Sequence, residues 1–159
     1  MSQIVWRIAT DSKTYAADDL SGLGAKHTGG RWNEPGLAAL YTSQSQALAC
    51  LETLVHLNAG GLPFNRYLVA ITIPEAVWAE ARRETKDTLP VGWDAQPAGI
   101  TSIQFGSAWL KAGAQAVLVV PSAIVTEEFN VLINPAHAGS GGIRAEKRGK
   151  FFYDPRLGR

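Results

Sequence analysis

Along this chain the spacing of apolar and polar residues predicts most of the regular elements. Ile4, Trp6 and Ile8 alternate with Val5 and Arg7, the period of a half-buried strand carrying one cation at its far end. Residues 38–42 read as a short strand. Ser43 with Gln46 three residues later has capping-box spacing, which predicts a helix to about Asn58 that Gly60 and Gly61 stop. Leu48, Leu51, Leu54 and Val55 give that helix an apolar stripe at three- and four-residue spacing. Arg66–Ile73 is rich in β-branched and aromatic residues and ends at Pro74, so it predicts another strand. A second helix is expected over about 102–112, with Gly113 just beyond it. Residues 116–120, Phe129–Ile133 and 151–153 predict three further strands.

The connecting segments are equally informative. Residues 21–36 hold five glycines and a proline, which predicts a long shaped loop without a regular element. Pro90, Gly92 and Pro97 make 86–97 a surface excursion, and Ala138–Gly142 reads as a flexible Gly/Ser loop. No internal repeat or low-complexity tract is apparent. The sum is an α+β fold with mainly antiparallel strands and flanking helices.

Composition narrows the class. A chain of 159 residues with 46% hydrophobic and 18% charged residues supports one core and one domain, 1–159. Fifteen Lys plus Arg against fourteen Asp plus Glu leave a net charge of +1, so no global field draws the protein to nucleic acid or to an anionic membrane. Any anion must be held locally. No apolar run is longer than that of 116–120, which is the size of a buried strand and far below the roughly 18–20 residues of a membrane span. The lone Cys50 excludes an internal disulfide, and the first residues lack the pattern of a secretion signal, so a cytoplasmic location is expected.

Familiar catalytic motifs are missing. Gly149-Lys150 is followed by Phe151, which rules out a P-loop, and Gly22-Leu23-Gly24 has neither a third glycine at the right spacing nor a following βαβ pattern. His27, His56 and His137 stand far apart without a Cys pair, so no metal site is expected. No Gly-x-Ser-x-Gly elbow exists.

What remains is a glycine loop ending in Arg31, a tyrosine on a short strand and a glutamate in a helix. Thr28-Gly29-Gly30-Arg31-Trp32-Asn33 combines bare backbone able to offer N–H groups with a guanidinium able to grip phosphate bidentately, parts suited to a pyrophosphate. For this motif alone, a turn with Arg31 in a surface ion pair and Trp32 in the core is the commoner outcome. Glu52 has Leu48, Ala49, Val55 and His56 as helical neighbours, and the segment 44–58 contains no Lys or Arg. An ionised carboxylate on so apolar a face should reach a cleft or meet a cation from elsewhere, since burial without a partner costs several kcal/mol. A solvated Glu52 is the even alternative. Tyr41 offers flat apolar area with a polar tip, although a core tyrosine is its ordinary role. Ser122 and Asn134 sit at strand ends, where sites are often built and where turn residues are commoner still. His56 could hydrogen-bond Glu52 but suits a partly buried structural position better. The basic run Arg144, Lys147, Arg148 and Lys150 fits a solvated face.

The order Trp6-Arg7, Gly30-Arg31-Trp32-Asn33, Tyr41, Glu52, Gly106-Ser107-Ala108-Trp109, Pro121-Ser122, Asn134-Pro135 and Asp154-Pro155-Arg156-Leu157 resembles the RES-domain toxins over nearly the whole chain. The family is named for an Arg, a Glu and a Ser; Ser122 is preferred over Ser107 for the third. The resemblance implies the toxin of a bacterial toxin–antitoxin pair, with a fold similar to the ADP-ribosyltransferase toxins. NAD+ would be its substrate, with no cofactor beside it. The implied partner is an Xre-like helix-turn-helix antitoxin that blocks the active site and carries DNA binding, with room for a homodimer within the complex. The resemblance further implies that Glu52 stabilises an oxocarbenium ion. Arg31, with Gly30 and Arg7 among the binding residues, would hold the dinucleotide. Tyr41 would stack on nicotinamide or ribose, and Ser122 and Asn134 would hydrogen-bond ribose or carboxamide. NAD+ degradation by hydrolysis or phosphorolysis is the leading expectation, protein ADP-ribosylation the second, and a non-catalytic nucleotide- or partner-binding module the third.

Overall fold

The computed structural model describes residues 1–57 and 60–158. Strands β1 (Gln3–Thr10), β2 (Leu40–Ser43), β3 (Arg66–Ile73), β4 (Arg82–Arg83), β5 (Val117–Pro121), β6 (Phe129–Ile133) and β7 (Arg144–Lys150) form one sheet in the order β4-β5-β6-β2-β1-β3-β7. Only the β4–β5 pair is parallel among the described strands. Helices α1 (Leu23–Thr28), α2 (Gln46–Leu54), α3 (Glu75–Ala79) and α4 (Ile100–Ala112) flank it. This is the expected single-domain α+β architecture.

Strand alternation sends side chains to two cores. Val117 and Val119 of β5 and Val131 and Ile133 of β6 join Val5, Leu40, Val69 and Ile71 on one face. Leu118, Val120 and Leu132 join Trp32, Trp93, Trp109 and Leu110 on the other. Trp32 stacks on Trp93 with centroids 6.3 Å apart and takes Phe105 edge-on at 6.0 Å. A side chain at Gly106 of α4 would come within 1.9 Å of the Trp32 carbonyl oxygen, so the glycine lets the helix lie directly on that backbone. Strands β1 and β3 pair over all eight residues, whereas β1 meets β2 only at Trp6 and Ser43.

Several sequence expectations change. Residues 21–36 contain helix α1, because Gly22 and Gly29, at φ 69° and 71°, bracket the short turn of helix and the remaining loop starts only at Gly29. Helix α2 is capped by Ser45, whose side chain accepts from the Leu48 N–H, while Ser43 still belongs to β2. It ends at Leu54, before the glycines; the expected end at Asn58 lies outside the described residues. Its sheet-facing row is Leu48 and Ala49, both buried, whereas Leu51 and Val55 are exposed. Residues 86–97 are not purely superficial, since Leu89 and Trp93 are buried in the aromatic core. Ala138–Gly142 is a 3-10 turn with His137 accepting from the Gly139 N–H. The last strand is the basic run β7 rather than 151–153; these residues instead end against α2, where the hydroxyls of Tyr153 and Thr53 lie 2.7 Å apart.

Candidate active site

Glu52 extends from α2 over the aromatic-core face of the sheet, half-buried, and its Oε1 accepts two hydrogen bonds of 2.7 Å, from Ser122 Oγ and Asn130 Nδ2. Neither donor carries a charge, and among the described residues no cation pairs with Glu52. One carboxylate oxygen is thus fixed in place without a counter-charge. Ser122 is fully buried at the end of β5, and its Oγ also accepts from the N–H groups of Ile124 and Val125 at 3.0 and 3.2 Å. With its hydroxyl so occupied, Ser122 holds Glu52. Asn130 was not singled out by the sequence reading. Its signal is a lone amide near the start of an otherwise apolar strand, on the same face as Leu132.

Arg31 and Tyr41 belong to this face as well. Tyr41 packs against the aromatic core, donates to Asn33 Oδ1 at 2.6 Å and accepts from the Trp32 N–H at 3.0 Å. Burial pushes its phenol well above the ordinary tyrosine value, and the Trp32 N–H and the Arg31 charge offset this only in part. The hydroxyl is thus committed to holding the loop, and the ring is what remains for a ligand. A Cβ on Gly30 would lie 2.7 Å from the Tyr41 hydroxyl, so glycine is what lets the tyrosine seat there. The loop does not offer the expected row of N–H groups: Gly29 donates to Ala25, Gly30 to Asn33, Asn33 to Gly30 and Glu34 to Ser107 Oγ. Asn33, itself buried, also donates to the carbonyls of Ala25 and Leu37 at 2.8 and 3.0 Å.

Arg31 makes no ion pair among the described residues; its guanidinium donates to the carbonyls of Trp93 and Ala95 at 3.1 and 2.8 Å and to Gln96 Oε1 at 3.2 Å. The 86–97 segment thereby fixes the guanidinium without neutralising it. Its charge and remaining N–H groups stay free for an anion.

Three candidates lie elsewhere. Arg7 shares the opposite face of the sheet with Val5 and Ala9, its Nη1 donating to the Tyr41 carbonyl at 3.1 Å and its buried Nε without a partner. It lines a cavity of about 160 Å³ with Tyr15, Asp19 and Gly22. Burial lowers its pKa, opposed by Asp19 and Tyr15. Asn134 is buried at the far end of β6, donating to the Leu110 carbonyl and accepting from the Ala136 N–H at 3.1 Å each. Four residues of strand put it roughly 13 Å from Asn130, and its amide is already used, so the expected ribose or carboxamide contact does not fit it. His56 is exposed. Among the described residues no three His, Cys, Asp or Glu side chains gather as metal ligands.

A model of the RES domain matches residues 4–154. The chain belongs to the RES domain family. A relative from Sphingobium sp. (strain YBL2), described as a Prs ADP-ribosylating toxin, is 61% identical over 157 residues, covering 99% of this chain and 98% of that protein. A protein of Photorhabdus laumondii described as Toxin Res is 40% identical, covering 97% of this chain and 96% of its own. Among solved structures, a chain of the M. tuberculosis MbcT–MbcA toxin–antitoxin complex superposes with a TM-score of 0.62 at 20% identity, covering 99% of this RES domain and 87% of that chain. That likeness supports the fold.

Proposed function

We propose that this RES domain is the toxin of a toxin–antitoxin pair and that it cleaves the nicotinamide–ribose bond of NAD+, passing the ADP-ribosyl group to an acceptor. The observation that carries the reading is the Glu52 carboxylate held by two neutral donors on the same sheet face as Arg31 and Tyr41. As the C1′–N bond breaks, its electron pair moves to nicotinamide and quenches the ring cation, so no acid is needed. Positive charge develops on the ribose, and a carboxylate beside it stabilises that transition state. Arg31 holds the diphosphate and lowers the orientational cost of reaction, while the Tyr41 ring packs on nicotinamide or ribose. The acceptor then adds to C1′ and its proton passes to solvent.

A specific observation orders the acceptors. A relative 61% identical is described as ADP-ribosylating Prs, which favours transfer to a protein over water or phosphate and reverses the order expected from sequence. Hydrolysis or phosphorolysis is the second reading. The partner is an antitoxin that covers this face, of the Xre-like class in the family resemblance, and a homodimer within that complex and a cytoplasmic site of action belong to the same reading.

Glu52→Gln removes charge while keeping shape, and it is expected to lower nicotinamide release from NAD+ by about 10²–10³-fold. Undiminished release would remove the carboxylate from the mechanism. Adenine-labelled NAD+ incubated with purified Prs decides the acceptor: label on the protein supports transfer, and free ADP-ribose or its phosphate supports the second reading.

A further inference from the structure

The strand pair β2–β6 places Ser43 directly opposite Asn130, and Ser43 Oγ lies 2.7 Å from Asn130 Oδ1. A carboxylate can only accept hydrogen bonds, so the Asn130 amide must turn its N–H toward Glu52. Its oxygen then faces Ser43, which must donate. The result is a directed chain, Ser43 to Asn130 to Glu52, that fixes which way the amide points. Together with Ser122 it fills Oε1 and leaves Oε2 without a protein partner among the described residues.

We propose that Asn130, oriented by Ser43, is a positioning residue that aims Glu52 by clamping Oε1, so that Oε2 is the oxygen presented to the ribose. The proposal rests on the reading of Glu52 given above. Neutral donors suit this task because they restrain a carboxylate without cancelling the charge that the oxocarbenium ion requires. A lysine or arginine in the same place would hold Glu52 as firmly and weaken it as a catalyst.

The test is a double-mutant cycle on purified protein with NAD+ as substrate and purified Prs as acceptor. Asn130→Ala is expected to lower kcat for nicotinamide release by about 10- to 100-fold, with KM within about twofold. Ser43→Ala, which touches Glu52 only through Asn130, is expected to lower kcat by about 3- to 10-fold. The two losses do not add: in the Asn130→Ala background, Ser43→Ala has no further effect on kcat. Asn130→Asp keeps the shape but replaces the donor with a second acceptor, so it is expected to be at least as slow as Asn130→Ala. It serves as the readable variant should the alanine not fold. Wild-type kcat in Asn130→Ala or Asn130→Asp alongside an inactive Glu52→Gln overturns the positioning role alone. Additive losses, or a loss carried by KM, overturn it too. Full turnover in Glu52→Gln overturns both this role and the catalytic reading beneath it.

Discussion

A half-buried asparagine sits near the start of strand β6 and a buried one directly follows its end, and the two do different work. At one end Asn130 is bonded to side chains, the Glu52 carboxylate and the Ser43 hydroxyl. At the other Asn134 is bonded to backbone, the Leu110 carbonyl and the Ala136 N–H. Backbone partners are present whatever residue is chosen nearby, so Asn134 serves as a staple between β6 and the end of α4. Side-chain partners from two separate elements exist only because tertiary folding assembles them, and one of them is a carboxylate held without a counter-charge. The arginines divide in the same way. Arg31 is fixed by neutral carbonyls on the Glu52 face, and Arg7 lies half-buried across the sheet beside Tyr41's backbone.

The largest expected effect comes from the core that both ends share. Trp32→Ala removes a stacked indole and leaves a cavity, which should cost about 3–5 kcal/mol and lower Tm by about 10 °C; a Tm change of only a degree or two would show that the aromatic core does not brace this face. Next, Asn134→Ala strands a buried carbonyl and N–H and should cost about 2–3 kcal/mol while leaving nicotinamide release by the folded protein within about twofold. Denaturant titration and turnover measured on the same sample check it, and a large loss of kcat at full stability would erase the contrast with Asn130.

Tyr41→Phe tests a residue that belongs to both roles. It leaves the Trp32 N–H and Asn33 Oδ1 unpaired, for about 1–3 kcal/mol. Because the folded phenol holds its proton more tightly than the unfolded one, the wild type carries stability that is present below the ordinary tyrosine pKa. That component is lost as pH rises above about 10, at up to about 1.4 kcal/mol per pH unit. Unfolding curves between pH 8 and 11 should show the extra slope in wild type and not in Tyr41→Phe. The smallest effect on stability is expected from Arg31→Lys. Loss of the planar fork should raise KM for NAD+ about tenfold with little change in Tm, and an unchanged KM would take the diphosphate away from this residue.

Much of the fold was legible because it follows from local pattern. Arg66–Ile73 and Phe129–Ile133 matched their predicted bounds, and Gly113 at φ 63° closes α4 as its position suggests. Errors gathered where short elements depend on partners: α1 inside a glycine-rich stretch, and β7, whose charged residues form a strand only because β3 lies beside them. At the site, the helix spacing around Glu52 and its missing local cation were readable, since both are one-dimensional facts. Asn130 was not, because nothing in its neighbours in sequence shows that Glu52, 78 residues away, ends 2.7 Å from its amide.

The sequence by itself determined five of the strands, the two longer helices and the acidic, basic and aromatic residue types available to a site. Only the tertiary structure decided that the glycine loop spends its N–H groups on itself and that Ser122 faces a carboxylate. It also sent Arg7 and Asn134 away from Glu52. Periodicity and propensity act over a few residues, whereas the direction of a hydrogen bond depends on which distant donor or acceptor the folded sheet brings within about 3 Å.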